Sequence, residues 1–152
     1  MKIITLFTIC LMLIGAIGLQ AQDLKPFQAD NKKYGYKDDK GTIVVEAKYD
    51  IGHEFFEGMA IVMLNYKYGF INKKGTEVIP LKYHLVRNFS EGLACVNIGT
   101  TFSPIWGFID LSGKEVIAPQ YDQSAKFING KAEVKKNNRS FYIDKTGKEL
   151  VN

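Results

Sequence analysis

Cysteine, histidine and tryptophan are scarce in this chain, with two, two and one among 152 residues. Cys10 lies in the N-terminal apolar run, so the chain from Gln22 onward has only Cys95 and can close no internal disulfide. Stability therefore has to come from packing. The sequence also lacks a GxGxxG or Walker pattern and any loop with the closely spaced oxygen ligands that calcium requires. His53 and His84 stand far apart and neither neighbours a cysteine, so the spacing of a tetrahedral metal site is missing. No cofactor and no metal are expected. Beyond residue 21 nineteen basic residues face sixteen acidic ones, a balance of +3 that selects no particular partner.

What is present begins with a leader. Lys2 precedes an uncharged apolar run from Ile3 to Leu19, which ends in Gln20-Ala21-Gln22. Residues 1–21 read as a cleavable signal peptide, with the small Ala21 placed for cleavage and a run barely long enough to span a bilayer. Cys10 follows Thr8-Ile9 rather than a small residue, which argues against lipidation. The expectation is a secreted or periplasmic protein with no stable membrane insertion after cleavage and no nucleic-acid partner. With 46% apolar and 24% charged residues, the remainder, 22–152, suits one modest domain.

That domain is internally repeated. Laying residues 34–67 on 68–101 without gaps gives 13 identities in 34 positions, where average composition gives about two. A third copy follows once four extra residues are allowed between Ile98 and Ile105, and a fourth starts at Ser140 and stops early. The repeats run about 34–67, 68–105, 106–139 and, in part, 140–152. Each opens with YGYKDDKG, YGFINKKG, WGFIDLSG or the degenerate SFYIDKTG, and the first three continue to FFEGMA, FSEGLA and FINGKA.

These strings resemble the WG-repeat family, whose units carry an aromatic-Gly pair, a turn of the form hydrophobic-Asp-x-x-Gly, a Tyr-Asp element and a Phe-x-Glu-Gly-x-Ala element. The resemblance spans residues 34–152. It implies bacterial origin and a binding or scaffolding role, with no established chemistry. Tyr replaces Trp in two copies, Ser140-Phe141 replaces the aromatic-Gly pair in the last, and Asn129 replaces Glu in the third.

Read from the residues alone, each unit is a strand pair followed by a longer connection. Trp106–Asp110 and Lys114–Ile117 are aromatic and β-branched, and Asp110-Leu-Ser-Gly113 joins them in a short turn, a device repeated at Asp38–Gly41, Asn72–Gly75 and Asp144–Gly147. A third strand precedes each pair, marked by Ala60-x-Val62, Ala94-x-Val96 and Ala132-x-Val134, with Phe27–Ala29 as a first instance. The expected fold is all-β: tandem three-stranded antiparallel meanders near 27–45, 59–79, 93–117 and 131–151, stacked as an open curved array, a small propeller-like ring being the alternative. Loops of about a dozen residues carry Tyr49, Tyr83 and Tyr121 and then Phe55, Phe89 and Phe127, which plug gaps between units.

Few polar residues escape a structural explanation. Glu57 and Glu91 occupy equivalent positions before Gly and read as turn or backbone-capping groups rather than an acid/base pair. Cys95 sits on a strand and reads as a partly covered structural thiol. Gly35, Gly69 and Gly107 fit close strand packing, and Gly41, Gly58, Gly75, Gly92, Gly113, Gly130 and Gly147 belong to turns. Lys131, Lys135, Lys136 and Arg139 form the most basic stretch, read as a solvated strand face. Aromatics are the best candidates for recognition: Tyr34, Tyr68, Trp106 and, above all, Phe102, in the segment Gly99–Pro104 that has no counterpart in the other copies. The function these features suggest is a non-catalytic extracytoplasmic binding module whose partner is a protein or an envelope polysaccharide. Alternatives are a small envelope hydrolase or a self-associating structural protein joined through the sheet edges at Phe27–Ala29 and Glu149–Val151.

Overall fold

The computed structural model describes residues 23–151, all of them in strands or connections; the leader, with its expected cleavage site, lies outside them. Four antiparallel sheets follow one another along the chain, each a meander with strands in sequence order. The first holds β1 (Lys25–Gln28), β2 (Tyr34–Lys37) and β3 (Ile43–Tyr49). The second holds β4 (Ile51–Phe56), β5 (Met59–Leu64), β6 (Lys67–Asn72) and β7 (Glu77–Tyr83). The third holds β8 (Leu85–Val86), β9 (Leu93–Asn97), β10 (Trp106–Asp110) and β11 (Glu115–Tyr121), and the fourth β12 (Gln123–Ser124), β13 (Lys131–Lys136), β14 (Arg139–Asp144) and β15 (Glu149–Leu150).

The all-β tandem meanders are as expected, with two corrections. Three sheets have four strands, because the chain leaving each sheet pairs briefly with the Ala-x-Val strand of the next before turning. Tyr49, Tyr83 and Tyr121 therefore end seven-residue strands instead of lying in long loops. Pro80 and Pro119 sit inside two of those strands, where the edge position of β7 and β11 lets a residue without an N–H be tolerated.

Strand alternation assigns each sheet two faces, and consecutive sheets share three cores. Tyr36, Val45 and Tyr49 of the first sheet meet Ala60, Val62 and Ile71 of the second. Met59, Ile61, Phe70 and Ile79, on the second sheet's other face, meet Ala94, Val96 and Ile109 of the third. Cys95, Trp106, Phe108 and Ile117 then meet Ala132, Val134 and Ile143 of the fourth. The Ala-x-Val pair thus faces the preceding sheet and the residue between them the following one. Ile61 and Cys95 are buried for that reason, while the matching Glu133 has no sheet beyond it among the described residues and is exposed. No core among the described residues joins the fourth sheet back to the first, so the array is open.

Recurrent devices fix the stacking. Phe70–Phe89 and Phe108–Phe127 are edge-on ring pairs with centroids 5.0 Å apart, each loop phenylalanine plugging its core, and Phe55 packs edge-on to Tyr36 at 5.5 Å. In β2, β6 and β10 the glycine after the aromatic lies flush against the backbone of the next strand: a Cβ on Gly69 would come within 2.4 Å of the Ile79 carbonyl oxygen. Asp38, Asn72, Asp110 and Asp144 each accept two backbone N–H bonds across their turn through Oδ1. Gly75, Gly113 and Gly147 close three of these turns directly over Val45, Ile79 and Ile117 of the preceding sheet.

Candidate functional site

The carboxylates that suggest acid/base chemistry are spent on joining units. Glu57-Gly58, Glu91-Gly92 and Asn129-Gly130 are two-residue turns with both φ angles positive, the backbone of a tight hairpin. Glu57 accepts the N–H groups of Glu91 (2.7 Å) and Gly92 (2.8 Å), the equivalent turn of the next sheet. Glu91 in turn accepts from Gly130 (3.0 Å) and pairs with Lys145 at 3.2 Å. Those contacts hold the Glu91 carboxyl below the usual range, the Gly130 N–H contributing most. Asn129 ends the series, with no further turn of this kind among the described residues.

A second column stitches the opposite rim, where the hairpins β1–β2, β5–β6, β9–β10 and β13–β14 have their tips. Asp50 is held by Lys33 from the first tip and accepts the Asn65 N–H of the second at 2.8 Å, and its pKa is lowered, chiefly by Lys33. Asp122 accepts the Asn137 N–H of the last tip at 2.9 Å. His84 holds the same place in the middle repeat, its Nε2 lying 2.9 Å from Lys67 Nζ. His53 thus lies on β4 and His84 in the bend between β7 and β8, and among the described residues no three His, Cys, Asp or Glu side chains are placed to hold a metal ion.

The inserted segment replaces the third tip and is built rather than loose. Asn97, fully buried, accepts the N–H groups of Gly99 and Ile105 at 2.9 and 2.8 Å, closing the base of the loop. Thr100 and Ser103 close its tip through a backbone bond of 3.0 Å and a hydroxyl bond of 3.0 Å. Thr101 and Pro104 form one wall of an open cleft of about 420 Å³ between the third and fourth sheets. Trp106 and Arg87 lie in it, the guanidinium 5.3 Å from the indole centroid, together with Gln123, Ser124 and Lys135. Ser140 also lines the cleft; it occupies the column where the other copies carry Tyr34, Tyr68 and Trp106, and its hydroxymethyl leaves open the space a ring would fill.

The four aromatic candidates do not converge. Trp106 lines the cleft beside the insertion, and Phe102 stands at the loop tip, 99% exposed. Tyr34 and Tyr68 are half-buried against the first and second cores and serve packing. Cys95 is buried, more completely than expected; it takes a hydrogen bond from Ser124 Oγ and donates to the Ala125 carbonyl. Burial pushes its thiol up to about 11, far from a nucleophile's range. Arg87 escaped the sequence reading, and Lys135, expected on a solvated strand face, lines the cleft instead. For Arg87 the available signal was a column that changes from His53 to Arg87 to Ala125, and for the cleft it was the loss of the aromatic at Ser140.

Comparison with known proteins agrees with this repeat architecture. The WG containing repeat matches residues 34–68, 68–99 and 106–139, leaving the inserted loop unmatched between the second and third copies. The chain belongs to the WG-repeat family, which suggests a repeat-based binding or interaction module. No curated protein and no solved structure matches it.

Proposed function

We propose that the chain is a non-catalytic binding module, exported through its leader, that takes a polar ligand in the cleft between its third and fourth sheets. The observation that carries the reading is the rigid inserted loop, which walls a cleft lined by Trp106, Arg87 and the open Ser140 position. Arg87 and Lys135 offer charged donors, Asp122 and Glu133 acceptors, and the indole an apolar floor, a mixture suited to a protein segment or an envelope polysaccharide. Support for a non-catalytic role comes from the groups that catalysis would need. The glutamates of the tight turns clamp backbone, the lone described cysteine is buried with a raised pKa, and the histidines sit apart, His53 on β4 and His84 in the bend after β7.

The test immobilises the chain from Gln22 and offers it the protein and polysaccharide fractions of its own cell envelope. Beside it stand Arg87→Ala and a version whose Gly99–Pro104 is replaced by the Asn-Tyr turn of the preceding copy. Retention that both changes abolish supports the cleft. Retention that survives both places the site elsewhere on the array, and an absence of retention from either fraction removes the proposal.

A further inference from the structure

The rim stitched by Asp50 and Asp122 has one more property. Its middle two hairpin tips carry the most exposed aromatic side chains of the described residues, Tyr66 at 85% and Phe102 at 99%. Ile98 and Ile105, at the base of the inserted loop, are 52% and 40% exposed. None of the four is used by the cores. Lysines flank them along the same rim, Lys32 at the first tip, Lys67 beside the second and Lys136 beside the last. Of the rim's acids, Asp122 accepts a backbone N–H, Asp50 is taken up by Lys33 and the Asn65 N–H, and only the exposed Asp30 at the first tip stands against the lysines named above, which outnumber it.

We infer that this rim docks on an anionic lipid surface, with Phe102 and Tyr66 entering the interface and the lysines resting among the headgroups. Two aromatic tips held on stiff supports lose little conformational freedom on burial, which is what a shallow membrane anchor needs. The Asn97 clasp on the inserted loop and the positive-φ turn at Asn65-Tyr66 supply that stiffness. The flanking charge favours a negatively charged bilayer over a neutral one. A protein partner would also bury Phe102, but it would not explain basic residues spread from the first tip to the last. The inference does not rest on the cleft, because neither Phe102 nor Tyr66 is among the residues that line it.

The experiment sediments the chain from Gln22, free of the apolar leader, with vesicles of phosphatidylglycerol and phosphatidylcholine or of phosphatidylcholine alone. The expected result is binding to the anionic vesicles that weakens with added salt and falls about tenfold or more in Phe102→Ser, and further when Tyr66→Ser is added. Both residues are exposed, so thermal unfolding of the variants should match the parent and exclude misfolding. Failure to sediment with anionic vesicles, equal binding to neutral ones, or binding that survives both substitutions would overturn the inference. Arg87→Ala, which alters the cleft and leaves the rim aromatics intact, should bind vesicles like the parent.

Discussion

Glutamate is an awkward residue for left-handed backbone, where asparagine or glycine is favoured, yet Glu57 and Glu91 sit there at φ of 51° and 55°. Their carboxylates reach the next turn, and the charged hydrogen bonds made there offset the local strain. Asn129 takes the same backbone without a turn to reach, so the change from Glu to Asn marks the last clamp. Because the folded Glu91 pKa lies below its unfolded value, its contribution is present above the unfolded pKa and is lost as pH falls through the folded one. Glu91→Gln should therefore lower Tm at neutral pH, and the gap between parent and variant should close in acid; a gap independent of pH in thermal melts would show that the charge is not what matters. The glycines divide just as sharply. Gly58→Ala meets open space and should cost about 1–2 kcal/mol for its positive φ, whereas Gly69→Ala drives a methyl into the Ile79 carbonyl and should cost about 3 kcal/mol or more. Equal losses in urea unfolding would contradict that distinction. The turn role of these residues was legible in the sequence. That the carboxylates reach between units was not, because a local motif does not reveal what stacks beside it.

At the scale of strands, the repeat period and the alternation of Ala-x-Val were enough to place β5, β9 and β13, inner strands of the three later sheets. The short β8 and β12 were missed because Leu85-Val86 and Gln123-Ser124 have no pattern of their own; they form only because β9 and β13 leave an edge to pair with. Prolines at 80 and 119 likewise disguised the length of β7 and β11. Phe89 and Phe127 lie in loops and plug their cores as expected, whereas Phe55 does so from strand β4, and burial sets their order of importance. Phe89 and Phe127 are 3% and 0% exposed against partly buried Phe55. Truncation to Ala should cost about 3–5 kcal/mol at Phe89 and Phe127 and less at Phe55. In an array where units contact only neighbours, the loss at Phe127 should loosen the third and fourth sheets before the first two. Hydrogen exchange that accelerates uniformly over all four sheets would count against that picture.

The ends of the molecule determine whether such an array stops. Between inner sheets the face toward the following unit is Met59, Ile61 and Phe70, then Leu93, Cys95 and Phe108; on the fourth sheet the same positions are Lys131, Glu133 and Tyr142. Lys131 lies over the Tyr142 ring at 4.9 Å, covering part of the only large side chain among the three. The first sheet shows the converse. Where inner sheets present Ala60 and Ile71 to the preceding unit, it presents Lys25 and Lys37, with Lys25 paired to Asp39 at 2.9 Å and Lys37 over Phe27 at 5.8 Å. Charged groups on both terminal faces make end-to-end stacking costly, since each would lose water without a partner. The chain should therefore be a monomer in sedimentation experiments, and Lys131→Leu with Glu133→Ile, which rebuilds the inner pattern on the last sheet, should make it associate through that face in a concentration-dependent way. A parent chain that already self-associates at the same concentrations would mean that some other surface, such as the hairpin rim with Tyr66 and Phe102, holds copies together, and Phe102→Ser would then disperse them.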